Sequence, residues 1–163
     1  MDNFKIRNVV EEDFIEISKI AKNCSPMTTE RNAIYHLFTK FFKNTSLVME
    51  NTSNGNICAF LLGLISQTNP QNAYIHLLCV DTKFRGKKLA PNLINKFIHI
   101  VSTLGSTNIS LLSKPSNIKA IKFYNKQGFI SKKTNKTLEE DGINIFKDYD
   151  GPNQDKIIFY KYI

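Results

Sequence analysis

No apolar run in this 163-residue chain is long enough to span a bilayer, so no membrane helix and no membrane partner are expected. The N-terminus, Met1-Asp-Asn-Phe-Lys-Ile-Arg7, lacks the apolar core of a secretory signal, which points to the cytoplasm. Cysteine is scarce. Cys24, Cys58 and Cys79 are an odd number at unrelated spacings, match neither a zinc site nor a disulfide framework, and imply no metal. Cys58 and Cys79 sit inside apolar runs and read as buried free thiols in a reducing compartment. Acidic residues are few as well, 14 against 22 Lys and Arg, for a formal net charge of +8. Such an excess predicts an anionic partner. There is no linker, repeat or low-complexity block, and the length suits one domain over residues 1–163.

What is present is an ordinary globular balance, 42% hydrophobic and 22% charged. Periodicity predicts a strand over Phe4–Arg7 and a helix over Glu11–Lys22 with Phe14, Ile17 and Ile20 or Ala21 inward. Beyond Pro26, a second helix is expected from Thr29 to Lys43, with Ile34, Leu37, Phe38, Phe41 and Phe42 as core. Leu47–Glu50 and Ile57–Ile65 read as strands joined through Asn54-Gly55, a hairpin pair tolerant of positive φ. Tyr74–Val80 is the next strand. A helix over Lys87–Leu104 follows, with Ala90, Leu93, Ile94, Phe97, Val101 and Leu104 inward and Pro91 in its first turn. Asn108–Leu112 is a strand, and Asn117–Gln127 a helix stopped by Gly128. Phe129–Lys132 and Lys156–Tyr160 are strands, with polar Thr134–Pro152 between them as a hairpin or loop. The order β-α-α-β-β-β-α-β-α-β-β predicts an α/β fold: a mixed, largely antiparallel sheet with helices on both faces. Residues 74–112 form a right-handed parallel crossover within it.

The most telling stretch is Val80-Asp-Thr-Lys-Phe-Arg-Gly-Lys-Lys-Leu-Ala-Pro91. A strand runs into a basic, Gly-containing turn that opens a helix. Amides of a first helical turn have no internal partner, and the helix dipole favours an anion there, so this is a socket for a pyrophosphate. Arg85, Lys87 and Lys88 add formal charge.

Two motifs resemble those of the Gcn5-related N-acetyltransferases, over nearly the whole chain. The family's phosphate motif, Arg/Gln-x-x-Gly-x-Gly/Ala, is matched by Arg85-Gly86-Lys87-Lys88-Leu89-Ala90, with Lys88 in place of the middle glycine. At that position a main chain of helical φ/ψ would permit the same approach to the phosphates. The second motif, Asn117-x-x-Ala120-x-x-Phe123-Tyr124-x-x-x-Gly128-Phe129, matches at every marked position. The resemblance implies acetyl-CoA as cofactor and an acyltransferase that delivers acetyl to a primary amine by direct attack on the thioester. It implies that Leu78, Cys79 and Val80 meet the pantetheine and acetyl carbonyl, with the amide of Cys79 or Val80 as oxyanion donor. By the same resemblance Asn117 contacts the pantetheine arm and Tyr124 protonates the leaving thiolate. The stretch from Ile75 to Pro91 is also similar to the cofactor strand and turn of N-myristoyltransferases, so acyl groups other than acetyl stay open.

A weaker likeness joins Cys24-x-Pro26, Asn32-x-x-Tyr35 and Asn69-Pro70 to diaminobutyrate acetyltransferases. It favours a small amine (amino acid, diamine or aminosugar) over a protein, with Glu30 and Tyr35 as substrate contacts. His76, two residues before Leu78, is either a packed histidine or the base that takes the amine's proton. Glu139, Glu140 and Asp141 either attract a cationic acceptor or form a solvated surface. The alternatives are a protein or peptide N-acetyltransferase, a CoA-binding sensor, and a basic nucleic-acid binder. Aromatic and basic residues are not interleaved on one strand face, so nucleic acid is not the expected partner. Monomer and homodimer both remain open.

Overall fold

The computed structural model describes residues 3–24 and 32–163. Strand β1 (Phe4–Asn8) leads through a short 3-10 turn at Glu11–Asp13 into helix α1 (Phe14–Lys22). Helix α2 (Asn32–Phe41) follows, then strands β2 (Leu47–Asn51), β3 (Ile57–Ile65) and β4 (Asn72–Val80). Helix α3 (Leu89–Thr103), β5 (Asn108–Ser113) and helix α4 (Ile118–Lys126) come next, and then β6 (Ile130–Ser131). The polar segment resolves into a hairpin of β7 (Thr137–Glu140) and β8 (Ile143–Phe146), and β9 (Ile157–Tyr162) ends the chain. Seven strands form one sheet in the order β1-β2-β3-β4-β5-β9-β6. The β4–β5 pair alone is parallel in it. The mixed, largely antiparallel sheet expected from the sequence is therefore present.

The continuous apolar run of β3 is buried on both faces from Ile57 to Gly63, as a central strand must be. One face meets α3 and α4, through Leu89, Leu93, Phe97, Val101 and Ile121. The other meets α1 and α2, through Ile17, Ile20, Tyr35 and Phe38. Gly63 allows the closest approach: a Cβ there would lie 2.5 Å from the ring of Phe97. Leu37 and Phe41 are exposed, contrary to expectation. The inward stripe of α2 is Tyr35, Phe38 and Thr39, and those two residues fall off it. Leu104 caps α3 and is likewise exposed.

Two features of β4 set up the site. Opposite Leu62 and Gly63 of β3 stand Leu77 and Ile75, so His76 is an extra residue, a β-bulge. Alternation breaks there. His76 stacks on Phe38 at 4.9 Å, on the α2 side, whereas Leu78 packs with the α3 cluster. The expectation that His76 and Leu78 share a face is thereby corrected: the bulge inverts the period between them. Moreover, β4 pairs with β5 only from Asn72 to Ile75, while its pairing with β3 continues to Val80. Past the bulge the two parallel strands part and leave a wedge between them.

Candidate active site

The turn after β4 begins with a 3-10 segment, Thr82–Phe84, whose start is held by Asp81 accepting from the Lys83 amide at 2.9 Å. Gly86 then takes φ 80°, and Lys88 takes φ 58°, ψ 22°, the left-handed region. Helix α3 opens at Leu89 rather than Lys87. The helical conformation expected of Lys88 is thus overturned. The chain must turn sharply to aim the first α3 amides back toward β4, and a side chain is carried where glycine sits most easily.

Leu78, Val80, Arg85, Gly86, Lys88, Leu89 and Ala90 line a cavity of about 800 Å³ whose other wall is the start of α4, including Asn117, Lys119, Phe123 and Tyr124. Lys87 does not line it. Its ammonium lies over the rings of Phe4 and Phe84, at 5.5 and 5.6 Å, and only its main chain belongs to the turn. Asn117 caps α4, its Oδ1 accepting from the Ala120 amide at 3.2 Å, so the side-chain oxygen is already engaged. Arg85 bends back and donates from Nε to the Val80 carbonyl at 3.3 Å.

A second chamber, about 400 Å³, adjoins the first. Leu78, Cys79, Val80, Arg85, Asn117, Ala120 and Tyr124 line both, so the two are one cleft with Tyr124 at the seam. Beyond the seam the walls are Tyr74, His76, Ser113, Lys114, Asp150 and Lys156. Burial, with a smaller contribution from Tyr74, holds the Tyr124 hydroxyl well above the ordinary 10.0, so the phenol keeps its proton. Its ring is fixed edge-on by Phe123 and Phe129. Burial lowers His76 below 6.5, so its imidazole is neutral near pH 7. Nε2 of that ring is buried and has no hydrogen-bond partner among the described residues. Burial, then Asp150 and Tyr149, pushes Tyr74 up to about 12.

Several expected residues fall elsewhere. Tyr35 is 1% exposed within the α1–α2 core and does not line the cleft, because it lies on the buried stripe of α2. Glu30 lies outside the described residues. Glu139 and Glu140 pair with Lys133 (3.1 Å) and Lys147 (3.3 Å) and line neither chamber. Asp141 sits in the β7–β8 turn at φ 50°. Among the described residues the carboxylate that does reach the cleft is Asp150, which composition alone could not separate from its acidic neighbours. Cys24 and Cys79, both expected to be unpaired, form a disulfide, with Cα atoms 6.3 Å apart. Helix α1 packs on β4 and carries Cys24 there across 55 residues of sequence. Cys58 is free and buried, and burial pushes its thiol up to about 11.

A wedge between parallel strands, a helix N-terminus at one end and a protonated phenol at the junction make a cleft for a long anionic carrier. The chain belongs to the acetyltransferase (GNAT) family, whose model matches residues 12–129. It is similar to an L-2,4-diaminobutyric acid acetyltransferase of Nocardia farcinica, 26% identical over 112 residues. That match spans 69% of this chain and 57% of that relative, little more than half its length. The fold is similar to that of Ard1 from Thermoplasma volcanium, with 20% identity, a TM-score of 0.79, and 99% and 98% of the two chains covered. It is also similar to diaminobutyrate acetyltransferase EctA from Paenibacillus lautus, solved with L-2,4-diaminobutyric acid and coenzyme A. There identity is 15%, the TM-score 0.72, and coverage 96% and 93%.

Proposed function

We propose that this protein is an N-acetyltransferase that uses acetyl-CoA and takes a small molecule with a primary amine as acceptor. Family membership supports the chemistry, and the matched relative acts, by its name, on a small diamino acid. The observation that carries the reading is the parting of β4 from β5 beyond Ile75, with Tyr124 on the seam of the two chambers.

The larger chamber suits coenzyme A. First-turn amides of α3, reached through left-handed Gly86 and Lys88, would meet its phosphates with the helix dipole behind them. Arg85, Lys88 and Lys119 add charge along the same wall. Residues 78–80 of β4, unpaired on the β5 side of the sheet, would receive the acyl arm, with the amide of Cys79 or Val80 accepting the charge that develops on the carbonyl oxygen. Asn117, its oxygen spent on the cap, retains Nδ2 as a donor toward the arm. Acetyl-CoA supplies an acetyl thioester.

In the transfer a C–N bond forms as the C–S bond breaks. Tyr124 gives its proton to the departing sulfur and regains one, by way of solvent, as the acylated nitrogen sheds its second proton to become the amide. Its high pKa ensures that the proton is present at working pH. The acceptor amine arrives as an ammonium, since its pKa is near 10 in water, and must lose a proton before attack. His76 lines the acceptor chamber with a neutral imidazole whose buried Nε2 has no partner among the described residues, and to it we assign that proton.

The test is release of free thiol from acetyl-CoA with a panel of amino acids, diamines, aminosugars and short peptides, with products identified by mass. Acetylation of a small amine is expected. Turnover of peptides alone would move the acceptor class to proteins. Thiol release that no amine accelerates would overturn the reading.

A further inference from the structure

The acceptor chamber carries an unusual charge pattern for a site that must admit an ammonium. Its charged walls among the described residues are Arg85, Lys114 and Lys156 against one carboxylate, Asp150. Asp150 is itself paired, its Oδ2 lying 3.3 Å from Lys156 Nζ. The Lys156 side chain is only 12% exposed. An ammonium has three donors, and Asp150 is its one ion-pair partner among the described residues. A cation this buried, with donors unspent and facing a cavity, is poised for a second anion. The backbone holds the two in place: Lys156 pairs with Phe146 at the end of β8, and Asp150 rides the loop between.

We propose that Lys156, positioned by Asp150, is the specificity-determining residue of the acceptor chamber and receives a carboxylate of the acceptor. The substrate class is then an amino acid, with polyamines and aminosugars excluded. This rests on the N-acetyltransferase reading. An acceptor with amino groups alone would bring positive charge to a wall whose described residues already carry three cations against one carboxylate, itself paired with Lys156. One that bears its own carboxylate brings the missing charge. The reacting nitrogen is left to face His76 and the seam at Tyr124.

The experiment compares pairs that differ by a carboxylate: 2,4-diaminobutyrate with 1,3-diaminopropane, ornithine with putrescine, and lysine with cadaverine. The expected kcat/KM favours the amino acid at least tenfold in the best pair, the scale of one charge-assisted hydrogen bond. Lys156→Met should abolish that preference through KM for the amino acid, read as the ratio of kcat/KM within each pair. Lys156→Arg should keep it. Thermal stabilisation by each acceptor, with coenzyme A present, reads the same contact without turnover: the amino acid should raise the melting temperature of the wild type and not of Lys156→Met. Equal use of diamine and amino acid, or a preference that survives Lys156→Met, overturns the inference. Coenzyme A bound with no such discrimination sinks this inference alone. A protein that binds no coenzyme A sinks the reading beneath it as well.

Discussion

Replacing Lys88 by glycine should make the protein more stable, against the usual cost of glycine beside a helix. Lys88 holds φ 58°, where an L side chain crowds the following carbonyl. That costs about 1–2 kcal/mol. Glycine removes the clash but brings extra freedom to the unfolded chain, worth about 0.5–1 kcal/mol. The net gain is then about 0.5–1 kcal/mol, or about 1–4 °C in Tm for a chain of this size. Lys88→Ala is the control, since it discards the ammonium and keeps the Cβ. It should melt near or below the wild type. Calorimetric melting of the three proteins isolates the backbone term as the difference between the glycine and alanine variants. Coenzyme A affinity should fall by less than about fivefold in both, because one exposed charge contributes about 1 kcal/mol or less. A glycine variant that melts at or below the alanine variant would show that Lys88 is not left-handed, and the reading of this turn would fail with it.

Two further predictions concern buried groups. His76 is depressed below its ordinary 6.5 by burial, so the unfolded chain binds its proton first as pH falls. Stability from this group is complete above about 6.5 and is lost as pH drops toward the folded value. Urea melts from pH 7.5 to 5 should therefore lose stability in that window, and His76→Phe, which can keep the stack on Phe38, should flatten the loss. A variant with the wild-type slope would remove His76 as its source. For the cysteines, thiol titration of denatured, unreduced protein should find one group, Cys58, and three after reduction. Cys24→Ser should lower stability by about 2–4 kcal/mol, as expected for a bridge closing a 55-residue span. Three thiols before reduction would contradict the bridge.

The parts of this fold that local pattern governs could be read before any coordinates. The seven-residue apolar run of β3, the Leu93–Phe97–Val101 stripe of α3 and the strand–turn–helix around Gly86 are encoded in consecutive residues. So is the short helix that brings Asn117 and Tyr124 together. What escaped depends on distant partners. The bulge at His76 exists because β3 fixes the register on both sides of it, and alternation within β4 carries no mark of an extra residue. Pairing of Cys24 with Cys79 follows from how α1 lands on β4, which spacing cannot encode. Lys88 had to be left-handed for the turn to close, yet its side chain advertises no such thing. Leu37 and Phe41 show the converse error, apolar residues assigned inward where the helix presents them to solvent. Asp150 lay in a polar stretch with several equivalent charges and Lys156 at the start of the last strand, and nothing local marks either as lining the cleft.

The most direct test of the account compares wild type with Tyr124→Phe, in thiol release from acetyl-CoA and in calorimetric titration with coenzyme A. The phenol ring packs half-buried against Phe123, Phe129 and Phe159, so removing its hydroxyl leaves the packing in place. Loss of a general acid costs about 10²–10⁴-fold. The account predicts a fall in kcat of that order with a coenzyme A Kd within about threefold of the wild type. An unchanged kcat in a protein that still binds coenzyme A would contradict it.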